Sequence, residues 1–284
     1  MTGIVILNYN SSTDVAKCLP MLKAQSDAAN SIIIVVDNAS EQSDKAALEE
    51  LCKCEGVRMI ASAQNRGYNA GNNIGIQAAL ELGCDAVMIA NPDMEFPDKD
   101  YVATLRKVLF SSPEYAVAAS RIVGPDGHDQ NPMRPDGNWT SSLSWIGELF
   151  FRRRTNFIDQ PAQSHDCHKV SGSCLMLRAD FLRSIGMFDP VPFLYCEEAI
   201  LSKQVEHIRF KMRYDATLTA IHRHIPSAKG DPRPRFRHWC SSRIYFIKHY
   251  SGWPLAGRIA ATLSMRTYTA LLTYGVTFRR LLHR

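Results

Sequence analysis

Ile33-Ile-Val-Val-Asp-Asn-Ala-Ser40 joins four β-branched apolar residues to a polar cluster that begins at Asp37. A continuous apolar run of this kind is typical of a parallel strand that is buried on both faces. Further strand-like runs and helical patterns alternate along the chain, with strands over residues 3–7, 32–36, 57–61 and 86–90 and helices over residues 14–24, 44–52 and 73–82. The alternation predicts an α/β fold with a doubly wound sheet.

Polar clusters follow these predicted strands. They cover residues 8–10, 37–40, 65–73 and 91–93. In an open α/β sheet, ligands bind beyond the carboxyl ends of the strands. We therefore expect the four clusters to line one crevice.

The second half of the chain has a different pattern. Residues 124–166 are rich in Pro, Gly, Asp and Arg, which predicts a long loop or lid. A strand is predicted over residues 170–177, a helix over 179–185 and a strand over 210–221. This order is typical of a mixed sheet.

The composition is that of a globular protein, with 284 residues of which 45% are hydrophobic and 21% are charged. The eight cysteines show no Cys-x-x-Cys spacing, which disfavours zinc or a disulfide framework and favours reduced thiols in a cytoplasmic protein. The first apolar run is short and has no basic lead, so no signal peptide is expected.

Positive charge is concentrated towards the carboxyl end. Residues 232–284 contain ten Lys and Arg residues and no Asp or Glu, although the formal net charge of the whole chain is only +5. Between Ile259 and Phe278 the only charged residue is Arg266. This pattern predicts an amphipathic helix on an anionic membrane surface, or a helix that packs on the body of the protein with its arginines outward. No nucleic-acid partner is expected, because the apolar stretch suits lipid better than phosphate.

Asp37 ends the second predicted strand and is followed by Asn38. A carboxylate at this place can accept the imide N–H of uracil or thymine. The same residues are also typical of an Asx-turn or a helix N-cap. The residues alone leave both interpretations open.

Asn65-Arg-Gly-Tyr-Asn-Ala-Gly-Asn-Asn-Ile-Gly75 spaces three glycines ahead of a predicted helical run. The segment does not match Gly-x-Gly-x-x-Gly, and the sequence contains no Gly-Lys-Ser/Thr phosphate loop. Backbone N–H groups at the start of a helix can still bind a diphosphate or a base. Alternatively, the segment caps the helix and lets it pack closely on the sheet.

Asn91-Pro-Asp93 follows the strand predicted over residues 86–90. Pro92 would end the strand and leave Asp93 as an oxygen ligand for Mg²⁺ or Mn²⁺. The alternative is a structural turn. His222 follows the last predicted strand and could complete the metal site, and His224 is the other candidate.

Phe193-Leu-Tyr-Cys-Glu-Glu198 places two adjacent carboxylates directly after an apolar and aromatic run. A carboxylate at the edge of a buried site can act as a general base. A Glu-Glu pair can also be a solvated helix start. The polar clusters beyond the strands favour the site.

Taken in order with Val170-Ser-Gly172 and Gly186-Met-Phe-Asp189, these motifs resemble family 2 glycosyltransferases, and most of all the bacterial rhamnosyltransferase-like group that builds surface polysaccharides. The resemblance implies a GT-A fold with a mixed central sheet flanked by helices. It also implies a catalytic domain over residues 1–230, with a nucleotide-sugar-binding half at 1–120 and an acceptor-binding half at 121–230. A basic helical extension would then cover residues 231–284.

The resemblance also implies roles for single residues. The pyrimidine would be contacted by Asp37 with Asn8, Asn10 and Asn38. The nucleotide pocket would be lined by Asn65, Gly67, Tyr68, Asn69 and Asn72. Asn91 and Asp93 take the places of the metal-binding Asp-x-Asp motif, and His222 would be the remaining ligand of Mg²⁺ or Mn²⁺. Glu198 would be the catalytic base with Glu197 beside it, whereas Ile200 and Leu201 stand where the family often has a further acidic residue.

The implied reaction is an inverting, metal-assisted transfer of a sugar from dTDP-rhamnose or a UDP-sugar. The acceptor would be a hydroxyl of a polyprenyl-diphosphate-linked oligosaccharide in O-antigen, capsule or exopolysaccharide synthesis, at the inner face of a bacterial membrane. Asn91 and the Glu-Glu pair leave an inactive nucleotide-sugar-binding scaffold as one alternative. A sugar-phosphate nucleotidyltransferase is another, but it would favour a Gly-rich loop with Lys or Arg directly after the first strand.

Overall fold

The computed structural model describes residues 1–148, 163–223 and 231–282. Its strands are β1 (Thr2–Asn8), β2 (Ser31–Asp37), β3 (Arg58–Ala61), β4 (Ala86–Ala90), β5 (Met94–Glu95), β6 (Tyr115–Val123), β7 (His165–Cys167), β8 (Cys174–Arg178) and β9 (Lys211–His222). Its helices are α1 (Ser12–Lys23), α2 (Gln42–Glu55), α3 (Tyr68–Glu81), α4 (Tyr101–Leu109), α5 (Ser144–Glu148), α6 (Ala179–Ile185), α7 (Glu197–His207), α8 (Arg233–His249) and α9 (Leu255–Leu282).

One mixed sheet runs through the described residues, in the order β3-β2-β1-β4-β8-β6-β9-β5, with β7 on β9. Strands β3, β2, β1 and β4 are parallel to one another, and β8 is antiparallel to β4 and β6. Strand β9 is parallel to β6. The predicted mixed sheet is confirmed, and the two halves of the chain contribute strands to the same sheet.

The four parallel strands end at one edge. Asn8 pairs in register with Asp37, and Ala90 pairs with Cys174 at the start of the antiparallel β8. The residues after β1, β2 and β4 and those before β8 therefore lie together. These residues carry three of the four polar clusters noted in the sequence, at 8–10, 37–40 and 91–93.

Apolar residues fill both faces of this sheet. Ile4 and Ile6 point into one buried cluster, whereas Val5 and Leu7 point into the other. Because side chains alternate along a strand, a continuous apolar run is what a strand covered on both faces requires. Helices α1, α2 and α4 cover the first face, and α3 and α6 cover the second.

Three local predictions were wrong. Helix α3 begins at Tyr68, five residues before the predicted start, so Gly71 also lies within the helix. Residues 170–173 form a loop rather than the first part of the predicted strand, which begins at Cys174. Helix α4 was not predicted, and its apolar face packs on the sheet.

The carboxyl-terminal helices pack on the body of the protein with one face only. Phe246 and Ile247 of α8 and Ala261 and Met265 of α9 share a buried cluster with Ile200 of α7. The other face of α9 exposes apolar side chains at Leu255, Ile259, Leu263, Leu271 and Tyr274. Packing on the body of the protein is one of the two arrangements predicted from the sequence, and binding of the exposed face to a membrane stays a prediction.

Candidate active site

Asn8 ties the ends of β1, β2 and α2 together. Its buried amide nitrogen lies 3.1 Å from an Asp37 carboxylate oxygen, 3.0 Å from Ser40 Oγ and 2.9 Å from an Asp44 carboxylate oxygen. Its amide oxygen accepts the backbone N–H of Ser11 at 3.2 Å. Asn8 therefore positions its neighbours, and its polar atoms are directed at protein groups.

Asp37 is fully buried in this structure. One of its carboxylate oxygens accepts from Asn8, and the other accepts the backbone N–H of Ser40 at 3.4 Å, as in the turn considered from the sequence. A pyrimidine could contact this carboxylate only if it became accessible. Asn10 is exposed beside it and binds the backbone N–H of Glu41 at 2.7 Å through its amide oxygen.

Asn38 and Asn65 hold the loop before α3. The amide of Asn38 donates to Asn65 Oδ1 at 3.0 Å and lies 3.2 Å from the carbonyl oxygen of Gly67. Asn65 Oδ1 also accepts the backbone N–H of Gly67 at 2.9 Å. These three residues fix the conformation from which α3 begins.

Gly67 lies against the segment that leads to the acidic pair. The backbone N–H of Tyr68 donates to the carbonyl oxygen of Phe193 at 2.8 Å. A Cβ atom on Gly67 would lie 2.6 Å from Phe193 Cα and even closer to its carbonyl oxygen. The N–H groups of Gly67 and Tyr68 are thus used inside the protein, which disfavours the predicted diphosphate cradle at these two positions.

Further along α3, asparagines hold the same segment. Asn69 donates to the carbonyl oxygen of Asp189 at 2.8 Å. Asn73 donates to the carbonyl oxygen of Phe188 at 2.8 Å and accepts the Phe188 N–H at 3.1 Å. The buried Asn72 donates to the carbonyl oxygen of Tyr68. The asparagine-rich motif braces residues 188–193.

Gly71 and Gly75 bring α3 close to the sheet. A Cβ atom on Gly71 would lie 2.6 Å from a methyl group of Leu7, and one on Gly75 would overlap Val5. The spacing of four residues places both glycines on the helix face that meets β1. Close helix–sheet packing is therefore the role of this pair.

The acidic pair begins α7, directly after two residues in the left-handed backbone region. Tyr195 has φ 73° and Cys196 has φ 65°. Such a conformation costs a residue other than glycine on the order of 1–2 kcal/mol, and it persists only where the surrounding contacts impose it. The braces from α3 act on this segment, so they fix where Glu197 and Glu198 enter the site.

Glu197 and Glu198 lie among Tyr68, Gly172 and Leu175. Both residues keep part of their surface accessible, but protein atoms enclose their carboxyl groups. Burial is the largest cause that raises the pKa of each carboxyl above its usual range, and the negative charge of Glu198 raises the pKa of Glu197 further. Two such carboxyls do not both ionise readily near neutral pH.

Tyr68 connects the acidic pair to the metal motif. Its hydroxyl lies 2.9 Å from Asn91 Oδ1 and 2.8 Å from the carbonyl oxygen of Gly172. Burial and the two nearby glutamates raise the pKa of this hydroxyl well above its usual value, so it stays protonated and donates. Asn91 thus contributes an acceptor to the protein, and its backbone N–H binds Ser173 at 2.8 Å.

Asp93 and His222 meet on neighbouring strands. Met94 pairs in register with His222, and His222 Nε2 lies 3.2 Å from a carboxylate oxygen of Asp93. His222 Nδ1 lies 2.7 Å from Gln130 Oε1, which fixes the orientation of the ring. The two predicted metal ligands are therefore brought together although they are far apart in the sequence.

A family model described as Glycosyl transferase family 2 matches residues 3–186, which is more than half of the chain. The chain belongs to glycosyl transferase family 2. Its resemblance to this family was correctly inferred from the order of the motifs.

Two curated relatives are distant. The hexosyltransferase Agl10 of low-salt glycan biosynthesis in Haloferax volcanii is 26% identical over 227 residues, covering 78% of this chain and 66% of that protein, slightly less than two thirds of its length. The N-acetylglucosaminyl-diphospho-decaprenol L-rhamnosyltransferase of Mycobacterium tuberculosis is 21% identical over 295 residues, covering 93% of this chain and 91% of that protein.

Solved glycosyltransferases share the fold. The mannosyltransferase PcManGT from Pyrobaculum calidifontis, solved with GDP-Man and Mn²⁺, superposes with a TM-score of 0.61 at 13% identity, covering 96% of this chain and 70% of that one. GalNAc-T7, solved with UDP, GalNAc and Mn²⁺, superposes with a TM-score of 0.62 at 14% identity, covering 84% of this chain and 47% of that one. The predicted GT-A fold is confirmed.

In this family 2 glycosyltransferase, the chemistry of Asp93 and His222 fits a divalent ion. Within the described ranges, three or more His, Cys, Asp or Glu side chains do not gather anywhere as a possible metal site. A site with one carboxylate and one imidazole suits an ion that takes its other ligands from water and substrate phosphates, as Mg²⁺ commonly does. His224 lies outside the described residues.

The sequence pointed to candidate site residues but not to the contacts that position them. Gly172 and Phe193 both contact the predicted site, through Tyr68 and through Gly67. Both residues belong to motifs noted in the sequence, Val170–Gly172 and Phe193–Glu198, but the sequence assigned no role to either. A second, open cavity of about 730 Å³ lies at the far end of α7, beside His207 and His249, and includes none of the motif residues.

Proposed function

We propose that this family 2 glycosyltransferase is an inverting enzyme that transfers a sugar from a pyrimidine nucleotide to a hydroxyl of a lipid-linked oligosaccharide. The observation that carries this proposal is that Tyr68 lies between the candidate base and the candidate metal-binding motif. On one side lies the buried pair Glu197 and Glu198, and on the other lies Asn91, two residues before Asp93. In this proposal, the base and the metal ligand face one crevice at the sheet edge.

In this proposal Glu198 is the base. Its carboxylate takes the proton from the acceptor hydroxyl as the oxygen forms a bond to the anomeric carbon. The bond from that carbon to the nucleotide diphosphate breaks on the opposite face, so a single displacement inverts the anomeric configuration. Asp93 and His222 would hold Mg²⁺ or Mn²⁺, which neutralises charge on the leaving diphosphate when it is bound. Glu197 keeps a proton and leaves the negative charge to Glu198.

The two alternative functions have less support. An inactive scaffold would not need a carboxyl pair whose pKa is raised by burial, nor an Asp93–His222 pair held by Gln130. A nucleotidyltransferase would favour a basic Gly-rich loop after β1, but Asn8 there is a buried structural tie. Both observations favour sugar transfer.

For the donor we propose dTDP-rhamnose or a UDP-sugar. The mycobacterial relative is by its name an L-rhamnosyltransferase that acts on a decaprenyl-diphosphate-linked sugar. By analogy, the acceptor of this chain is a polyprenyl-diphosphate-linked oligosaccharide of a bacterial surface polysaccharide such as O-antigen or capsule. Asp37 would take part in base recognition only after becoming accessible, which makes nucleotide choice a direct test of its role.

An anionic membrane surface fits the outer face of α9. Leu255, Ile259 and Leu263 follow one another at four-residue intervals and are 66%, 53% and 58% exposed, so they form one stripe along the helix. Leu271 and Tyr274 extend the apolar face. Within the described ranges, none of the helices is long and apolar enough to cross a bilayer. Together with the basic carboxyl-terminal region, the stripe supports peripheral binding at the inner face of the membrane, where a lipid-linked acceptor resides.

The lipid-binding part can be tested with vesicles that contain phosphatidylglycerol. Leu263→Asp should weaken partitioning by about tenfold or more, because full burial of a leucine contributes about 1.5–3 kcal/mol. Leu82→Asp changes a 40% exposed leucine that directly follows α3 and is the matched control. Equal binding of all three proteins would contradict the assignment of this face.

The transferase itself is tested by screening nucleotide sugars for thermal stabilisation and donor hydrolysis, with and without Mn²⁺. One pyrimidine sugar should stabilise both the wild type and Glu198→Gln, whereas turnover should fall by roughly 10²- to 10⁴-fold in the variant only. Stabilisation without turnover in the wild type would favour the scaffold. Product from a nucleoside triphosphate and a sugar phosphate would favour the nucleotidyltransferase.

A further inference from the structure

A cluster of three charged residues lies beside the acidic pair. Asp136 binds Lys169 at 3.0 Å through one carboxylate oxygen and Arg243 at 2.8 Å through the other. The side chains of Asp136, Lys169 and Arg243 are only 17%, 11% and 15% exposed. Burial of two cations around one anion costs solvation and leaves a net positive charge in the protein. Such a cluster therefore acts on its surroundings as well as on its own members.

Lys169 is held in the segment that approaches Glu198. Its carbonyl oxygen accepts the backbone N–H of Met133 at 2.9 Å. Two residues later, the backbone N–H of Ser171 donates to Asn131 Oδ1 at 2.9 Å. Gly172 follows directly, and a Cβ atom there would lie 3.8 Å from Glu198 Oε1. The positive charge is thus fixed on the chain that touches the base.

The charged and titratable groups around Glu198 come from four segments. Glu197 precedes it on α7, and Tyr68 faces it from α3. Lys169 faces it from the loop between β7 and β8, and Asp136 faces it from the segment after β6. Burial raises the pKa of Glu198, the positive charge of Lys169 lowers it, and the negative charge of Asp136 raises it. Arg243 forms an ion pair with Asp136, and its positive charge acts on the neighbouring Cys196.

We propose that Lys169 is a positioning residue whose ammonium group keeps Glu198, rather than Glu197, as the ionised member of the acidic pair, and that Asp136 limits this effect. The role rests on the proposed function, in which Glu198 must be ionised to accept the hydroxyl proton. Two adjacent buried carboxyls share their protons, and a fixed cation near one of them decides which carboxyl is charged. Glu197 then keeps the proton that the pair retains.

The test compares the dependence of kcat/KM on pH in four proteins. In Lys169→Met the rising limb of the profile should move to higher pH. At pH values below the limb, kcat/KM should be about tenfold lower than in the wild type for each pH unit of displacement. At high pH the two proteins should have the same kcat/KM. In Asp136→Asn the limb should move to lower pH. Lys169→Arg should restore the wild-type profile, because it retains the positive charge.

Opposite displacements by the two variants separate an electrostatic role from a structural one. Loss of activity by the same factor at every pH, or displacement of both profiles in one direction, would overturn the proposal. If Lys169→Met does not fold, Asp136→Asn and Lys169→Arg still test the sign of the effect. An inactive wild type with every donor would refute the proposed function, whereas an active wild type with unmoved profiles would refute only the role of Lys169.

Discussion

Gly67→Ala tests whether the start of α3 positions the catalytic base. Gly67 has φ 102° and ψ 178°, a region that is essentially restricted to glycine and costs other residues about 1–3 kcal/mol. The new methyl group would also overlap Phe193, whose Cα would lie 2.6 Å away. Overpacking of this kind costs about 1–3 kcal/mol. We therefore expect the free energy of unfolding to fall by about 2–6 kcal/mol, unless Phe193 moves.

Movement of Phe193 has its own consequence, because this residue begins the segment that ends at Glu198. Urea unfolding measures the first outcome, and sugar transfer at a temperature where the variant is folded measures the second. Gly56→Ala is the matched control, since Gly56 has φ 64° but no atom within 4 Å of a new Cβ. If Gly67→Ala were no more destabilising than the control and equally active, the close contact would have no role in positioning the base.

Three further predictions concern charge. The transfer rate should rise with pH around a midpoint above the usual carboxyl range, because burial raises the pKa of Glu198 and the reaction needs its ionised form. A midpoint at or below the range of a free glutamate would contradict this role. Asp93→Asn and His222→Ala should each raise the Mn²⁺ concentration needed for half-maximal activity, by roughly 10- to 100-fold, whereas Asp14→Asn, at an exposed helix residue, should leave it unchanged. Arg106 holds the pKa of Asp85 well below its usual range, so the ion pair stabilises the fold above the carboxyl pKa of the unfolded chain, and this contribution is lost as pH falls through the folded pKa. The stability difference between wild type and Asp85→Asn, measured by urea unfolding, should therefore shrink from pH 7 towards pH 2.

The parallel half of the sheet was predictable because each of its strands can be recognised from its own residues. A strand covered on both faces needs apolar side chains at every position, and the runs that end at Leu7, Val36 and Ala90 meet this condition without reference to distant residues. Strand β3 was also found, although it lies at the edge of the sheet and is only partly buried. The order in which polar clusters follow these strands then predicted a crevice at this edge of the sheet.

The start of α3 was not predictable from local propensity. Glycine and asparagine disfavour a helix interior, and the predicted helix therefore began only at Asn73, after Gly71 and Asn72. The structure places Gly71 and Gly75 against Leu7 and Val5, where a larger residue would hold the helix away from the sheet. Tertiary packing overrides propensity at these positions.

The composition of the candidate site was easier to predict than its support. Glu198, Asp93 and His222 have chemically distinctive side chains, and the structure brings Asp93 and His222 to within 3.2 Å of each other. Asn69 and Asn73 were expected to line a nucleotide pocket, but they bind backbone groups 120 and 115 residues away. An amide suits a ligand and a distant backbone carbonyl equally well, so the residue type does not distinguish these uses.

The apolar residues after the acidic pair connect the helix that carries Glu198 to the two carboxyl-terminal helices. Ile200 stands where the family often has a further acidic residue, and it is only 1% exposed in the cluster formed by α8 and α9. A carboxylate at this position would be buried among Phe246 and Met265 at a high desolvation cost. The helix that carries the base is therefore stabilised by the same helix, α9, whose outer face we assign to the membrane. Binding to lipid would fix the base relative to the membrane surface, and so relative to the part of a lipid-linked acceptor that projects from it.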